Sequence, residues 1–263
     1  MSWSDCYAQI LPYVFRVETP EGFGSGVFFT YNRHKTIIAI ATAAHVVEHA
    51  DDWKQPLRLR QHSSGKERFL EDADRTILLD RRRDSASIII TNHGFDLPDD
   101  TLPMIAASKY KRIATEVGWM GYPSIAHPHL CFFTGRISSF LNDEDSYLID
   151  GVAINGVSGG PVFARLAEDK PQLLGTVSAY MPNRIRGDAL PGLLRSQDVT
   201  PFHDVIKTLT SLDDAREQKE KEEASKQQKE QRASEPPAGG TPDAQPGAAS
   251  NAGSASAPPA SVS

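Results

Sequence analysis

Short β-rich segments separated by turn residues recur along most of this chain, and they restrict its fold more than any other feature. Residues 13–17, 26–31, 36–41, 57–61, 76–79 and 87–91 form a first set, rich in Val, Ile, Leu and Phe and bounded by Gly, Asn, Asp and Pro. A polar connection at 92–103 separates them from a second set at 115–120, 130–140, 147–149, 161–165 and 173–180. Segments this short are stable only when several pair and bury a common face. The expected fold is therefore all-β: the six segments of the first set suit one antiparallel six-stranded β-barrel at about 13–92, the second set a second antiparallel β-barrel at about 108–200, and a cleft lies between the two.

The pattern changes at Thr200-Pro201, where threonine suits a helix cap and proline the first helical position. Phe202, Val205, Ile206, Leu209 and Leu212 then fall on one helical face. Residues 201–212 are expected to form a C-terminal α-helix that closes the second barrel and ends a folded domain over 1–212. Residues 213–232 read as a charged linker, helical or disordered, in which Glu217 with Lys221 and Glu222 with Lys226 make i,i+4 pairs. Residues 233–263 are mostly Pro, Ala, Gly and Ser, too polar to offset ordering entropy, and are expected to be a disordered tail that could serve as a handle for a regulatory partner.

Composition excludes several classes. With 39% hydrophobic residues the 263-residue chain can bury a sizeable core. A net charge of −6 without a dense basic stripe leaves no electrostatic footprint for nucleic acid, and Arg81-Arg82-Arg83 reads as a solvated turn. No run of about 18 apolar residues could cross a membrane, and the N-terminal residues lack the pattern of a secretory signal. Cys6 and Cys131 make no disulfide framework, so a cytoplasmic setting is expected. His127-Pro128-His129 is a weak metal signal without zinc spacing, and neither metal nor cofactor is expected.

The residues that point to chemistry are Gly156-Val157-Ser158-Gly159-Gly160-Pro161. Glycines around a serine let backbone N–H groups approach a reacting centre without Cβ interference. Alone, the string is equally a turn between strands. Upstream, Thr42-Ala43-Ala44-His45-Val46 follows an apolar strand, and small neighbours leave the imidazole room to face a cleft. Asp84-Ser85-Ala86 places a carboxylate at the mouth of another strand, with Asp74 and Asp80 close by as competitors. Gly156 to Gly160 also satisfies Gly-x-Ser-x-Gly of the α/β-hydrolases. That fold needs an acid and then a histidine after the serine, and only His203 follows.

Together with Gly24-Ser25-Gly26-Val27-Phe28-Phe29, these strings resemble the trypsin/chymotrypsin-like serine peptidases, nearest to the bacterial Deg/HtrA-type peptidase domains, over roughly residues 13–210. The resemblance implies a serine endopeptidase acting on protein or peptide substrates, with His45 as general base, Asp84 as its orienter and Ser158 as nucleophile. It implies an oxyanion hole from the N–H groups of Gly156 and Ser158. It also implies a pocket for the residue before the scissile bond, walled by Val152 and Asn155 on one side and Ser178 and Tyr180 on the other. Val152 stands where trypsin-like members carry a carboxylate, so a small or medium apolar residue is expected there. Val157 replaces the acidic residue that holds a processed N-terminus in secreted members. No peptide-binding PDZ module is expected after the peptidase part, and the alternative is a non-cleaving or partner-gated binding module on the same fold.

Overall fold

The computed structural model describes residues 2–106, 109, 111–152, 154–165, 170–185 and 188–234, without the side chains of 180, 182–185, 188–191 and 231–234. The tail expected from 233 lies, from 235 onward, outside the described residues.

A helix that the strand pattern does not announce comes first. In α1 (Trp3–Ile10) the Ser2 hydroxyl accepts the Asp5 N–H at 3.1 Å, while the Asp5 carboxylate accepts the Ser2 N–H at 2.8 Å. This reciprocal cap allows a short helix to pack Trp3 against the rings of Phe132 and Phe163.

The first sheet comprises β1 (Val14–Thr19), β2 (Gly22–Tyr31), β3 (Ile37–Thr42), β4 (Leu57–Gln61), β5 (Glu67–Leu70), β6 (Arg75–Asp80) and β7 (Ser85–Thr91), in the order β5-β4-β1-β2-β3-β7-β6. All its pairings are antiparallel. It is a seven-stranded half-barrel where six closed strands were expected. The extra strand is β5, only four residues long and headed by Glu67-Arg68, too short and polar to register as β-rich. Helix α2 (Ala44–Asp52) leaves the end of β3.

The second sheet closes. Its strands β8 (Glu116–Gly121), β9 (Cys131–Leu141), β10 (Ser146–Asp150), β11 (Pro161–Arg165), β12 (Pro171–Ile185) and β13 (Asp188–Asp198) run β10-β13-β12-β11-β8-β9 and back to β10. Trp119, Tyr147 and Phe163 of this barrel, and Phe15, Phe28, Ile38 and Ile40 of the first sheet, are all fully buried. A double β-architecture with a C-terminal helix is thus what the alternating β-rich segments fold into.

Helix α3 (Thr200–Ser234) begins where Asp198 accepts both the N–H and the hydroxyl of Thr200 at 2.9 Å. Phe202, 0% exposed, meets the Phe29 ring at 5.0 Å. The apolar contact ends one turn earlier than its spacing suggests, because Leu212 is 62% exposed. A polar clasp takes over there: Asp213 accepts the Asn32 amide at 3.1 Å and the Arg33 N–H at 2.7 Å. The chain from Gln218 belongs to a separate unit, in which residues 218–230 are exposed and carry charges of both signs. Among the described residues no helix is long and apolar enough to cross a membrane. Phe202→Ala is expected to lower the unfolding free energy by about 3–5 kcal/mol, read from the urea midpoint, because it empties a fully enclosed site.

Candidate active site

Strand β3 is buried from Ile38 to Thr42, Ala43 stays extended, and α2 starts at Ala44, so His45 sits in a helix's first turn. Its N–H has no acceptor within the helix, and Ala43 supplies no side-chain cap. Asp84 fills that gap. Its Oδ1 accepts the His45 N–H at 3.0 Å, and both carboxylate oxygens lie 2.9 Å from His45 Nδ1. A carboxylate only accepts, so Nδ1 carries the proton and Nε2 is left as the basic nitrogen.

Asp84 ends the turn between β6 and β7 at φ +48°, a left-handed conformation that Asp tolerates better than most residues. The Ser178 hydroxyl donates to its Oδ2 at 2.6 Å, and Arg195 donates to Ser178 Oγ at 3.3 Å. Burial pushes the Asp84 carboxyl up, but the hydrogen bonds from His45 and Ser178 outweigh it and hold the group below the usual carboxylate range. The competing acids are engaged elsewhere: Asp80 pairs with Arg83 at 3.1 Å, and Asp74 accepts the Glu71 N–H at 3.0 Å. His203 is bonded to the Ile105 carbonyl at 2.7 Å.

The basic run forms the turn expected of it, with Arg81 and Arg82 exposed to solvent, and it is ion-paired as well. Arg81 reaches Glu48 and Asp52 on α2 at 2.5 and 2.8 Å, and Arg83 reaches Asp145 of the second sheet at 2.6 Å. Such partly exposed pairs contribute at most about 1 kcal/mol each. Their placement still ties the Asp84 turn both to the helix that bears His45 and to the second sheet.

Ser158 sits in the turn before β11. Gly156 at φ +94° is in a region closed to ordinary side chains, and a Cβ there would run into the Tyr122 carbonyl. The backbone donors of this turn divide into two groups. The N–H of Val157 goes to Ile154 O at 3.0 Å, that of Gly159 to Val177 O at 2.7 Å and that of Gly160 to Val157 O at 3.0 Å. The N–H groups of Gly156 and Ser158 have no acceptor among the described residues. Two adjacent unengaged donors beside a hydroxyl suit a developing negative charge.

His45, Ser158, Gly156 and Asn155 line one cleft of about 290 Å³, together with Thr19, Glu21, Gly22, Phe23, Val46 and His49. No direct hydrogen bond joins Ser158 to His45. Of the expected pocket walls, Asn155 is exposed at this cleft, and Val152 is exposed without lining it. Ser178 is 2% exposed, and its hydroxyl faces Asp84 rather than a pocket; it lies between Val177 and Ala179, where the strand register shifts. The side chain of Tyr180 lies outside those described. No group of three metal-ligating side chains occurs among the described residues.

Two contributions escaped the sequence reading. The cleft wall at Thr19, Glu21, Gly22 and Phe23 lies on the β1–β2 hairpin, whose turn signals Pro20 and Gly22 carry no chemical signature, and the support of Asp84 by Ser178 depends on a contact across 94 residues.

No family model matches the sequence, and no curated protein matches it. Among solved structures, the chain is similar to the crystal structure of the serine endoprotease from Yersinia pestis, with a TM-score of 0.56 and 18% identity. The chain has the fold of that endoprotease. The match covers 80% of this chain and 66% of the other, so the chain spans slightly less than two thirds of that protein.

Proposed function

We propose that the chain is a serine endopeptidase. The observation that carries this reading is the convergence in one cleft of a serine, two unengaged N–H donors around it, and a histidine clamped by a carboxylate through its backbone and its ring. Ser158 attacks a peptide carbonyl while His45 Nε2 takes its proton. The charge on the carbonyl oxygen is received by the N–H groups of Gly156 and Ser158, and Asp84 stabilises the imidazolium. His45 then protonates the leaving amine, and water hydrolyses the acyl-enzyme. The likeness in fold to an endoprotease supports protein or peptide substrates.

For the residue before the scissile bond we propose a small or medium apolar side chain. The support comes from the sequence resemblance, in which Val152 stands where trypsin-like members carry a carboxylate that attracts Arg or Lys; Val152 itself lies outside the cleft lined by His45 and Ser158. Val157, fully buried, offers no charge to hold a processed N-terminus, and the turn already presents its two donors. The proposed enzyme therefore needs no proteolytic activation. A non-cleaving or gated module is the second reading, favoured by the absence of a Ser158–His45 hydrogen bond.

A fluorophosphonate probe separates the two. Labelling is expected for wild type and is expected to vanish in Ser158→Ala and His45→Ala. Wild type that never labels supports the second reading, and labelling that survives Ser158→Ala refutes the site.

A further inference from the structure

Ser25 lies in β2 of the first sheet, is 0% exposed and uses every polar function it has. Its N–H donates to the Ser158 carbonyl at 2.7 Å, and its hydroxyl donates to the Gly156 carbonyl at 2.8 Å. The same hydroxyl accepts the Tyr122 N–H at 3.0 Å, and its own carbonyl accepts the Thr42 hydroxyl at 2.8 Å. One residue of the first sheet thus grips, from behind, both residues whose N–H groups face the cleft.

A carbonyl belongs to the peptide plane that follows its residue. Anchoring the Gly156 and Ser158 carbonyls therefore fixes ψ at both positions. The neighbouring planes are fixed as well, since Ser124 N–H donates to Asn155 O at 2.7 Å and Gly160 N–H to Val157 O at 3.0 Å. The turn can then no longer rotate a carbonyl into the place of a donor. The close approach needs glycine nearby: a Cβ on Gly24 would stand 2.9 Å from the Ser158 carbonyl, and one on Gly121 would stand 2.8 Å from Ser25 Oγ. A buried hydroxyl that bridges two segments in this way has no solvent substitute if it is removed.

We infer that Ser25 is a positioning residue for the proposed reaction: by pinning the carbonyls of Gly156 and Ser158 it fixes ψ at both residues and, together with the Ser124 and Gly160 bonds to the donor planes themselves, keeps the turn in the conformation that presents the Gly156 and Ser158 N–H groups to the oxyanion. This rests on the serine endopeptidase reading. It differs from a purely structural role because it predicts a loss in the chemical step alone. A misplacement of about 1 Å at such donors can cost on the order of a hundredfold in rate.

The test follows fluorophosphonate labelling of the full chain over a range of probe concentrations, which separates the maximal labelling rate from the probe's half-saturating concentration. Ser25→Ala is expected to lower the maximal rate by about 10- to 100-fold with half-saturation unchanged, and Ser25→Thr, which retains a hydroxyl, is expected to recover most of it. If Ser25→Ala does not fold, Ser25→Cys keeps the volume, weakens the hydrogen bond and is expected to show the same split. Wild-type rates in Ser25→Ala or Ser25→Cys would overturn the inference. So would a loss that follows only the folded fraction in a melting curve, without rescue by threonine. Absence of labelling in wild type removes the endopeptidase reading itself, and the positioning role falls with it.

Discussion

Replacing Ser158 by alanine is expected to lower turnover of a fluorescently labelled protein substrate by about a million-fold, the scale seen when the nucleophile of a serine peptidase is removed. The loss follows from the proposed division of labour. Without the hydroxyl no acyl-enzyme forms, and only the Gly156 and Ser158 N–H groups and the binding cleft remain to favour attack by water. Those remnants still leave roughly a thousand- to ten-thousand-fold acceleration over water. The fold is expected to be unaffected, because the Ser158 side chain has no hydrogen bond among the described residues to lose. His45→Ala is expected to cost about as much, and the double variant little more than either alone, since the two groups act in one proton transfer. Additive losses would mean that Ser158 and His45 work independently, contrary to this account.

The second large effect belongs to Asp84. Asp84→Asn is expected to reduce turnover by about ten thousand-fold, while Asp80→Asn stays within a few-fold of wild type. Asparagine has the shape of aspartate but can turn an N–H₂ group toward Nδ1, which then must accept, leaving Nε2 protonated and unable to receive the serine proton. The Ser178 hydroxyl would at the same time lose its charged acceptor. Asp80 serves Arg83 in the turn, accepting its N–H at 3.1 Å and pairing with its guanidinium, and it makes no contact with His45 or Ser158. Acid stability provides a separate measure of the same bonds. The folded carboxyl of Asp84 lies below its unfolded value of about 3.9, so its stabilising contribution is complete above that pH and is lost as pH falls through the folded value. Wild type should therefore lose more stability on acidification below about pH 4 than Asp84→Asn does, read from urea midpoints. Equal turnover defects in the Asp80 and Asp84 variants would contradict the assignment.

The sequence makes the strands legible wherever β-branched and aromatic residues alternate or run together, as in 36–41 and 87–91, which match β3 and β7 within two residues at either end. It fails where local composition is neutral. Strand β5 is short and charged, α1 is declared only by a Ser2/Asp5 cap, and β13 contains Pro191 and Gly192, which read as a turn. The site shows the same division. His45, Asp84 and Ser158 are visible because each stands in a distinctive string, and the cleft brings His45 and Ser158 together. Their supports are invisible because they act across the fold: Ser178 lies 94 residues from Asp84, and Ser25 lies 131 residues from Gly156. In the sequence Ser25 stands out only for the glycines on either side of it. A hydroxyl just ahead of the apolar run Val27-Phe28-Phe29 is the available hint, since buried hydroxyls need partners. The role of Arg81, Arg82 and Arg83 is masked in another way, because a run of like charge normally faces solvent, and here it meets four carboxylates, those of Glu48, Asp52, Asp80 and Asp145, and the Asp143 carbonyl in the folded chain.

The most direct test of the central claim is to locate a fluorophosphonate adduct by peptide mapping and mass spectrometry in wild type and in folded His45→Ala. The account predicts one adduct, on the Ser158 hydroxyl, present in wild type and absent from the His45 variant. An adduct on another residue, or on Ser158 to the same extent without His45, would contradict it.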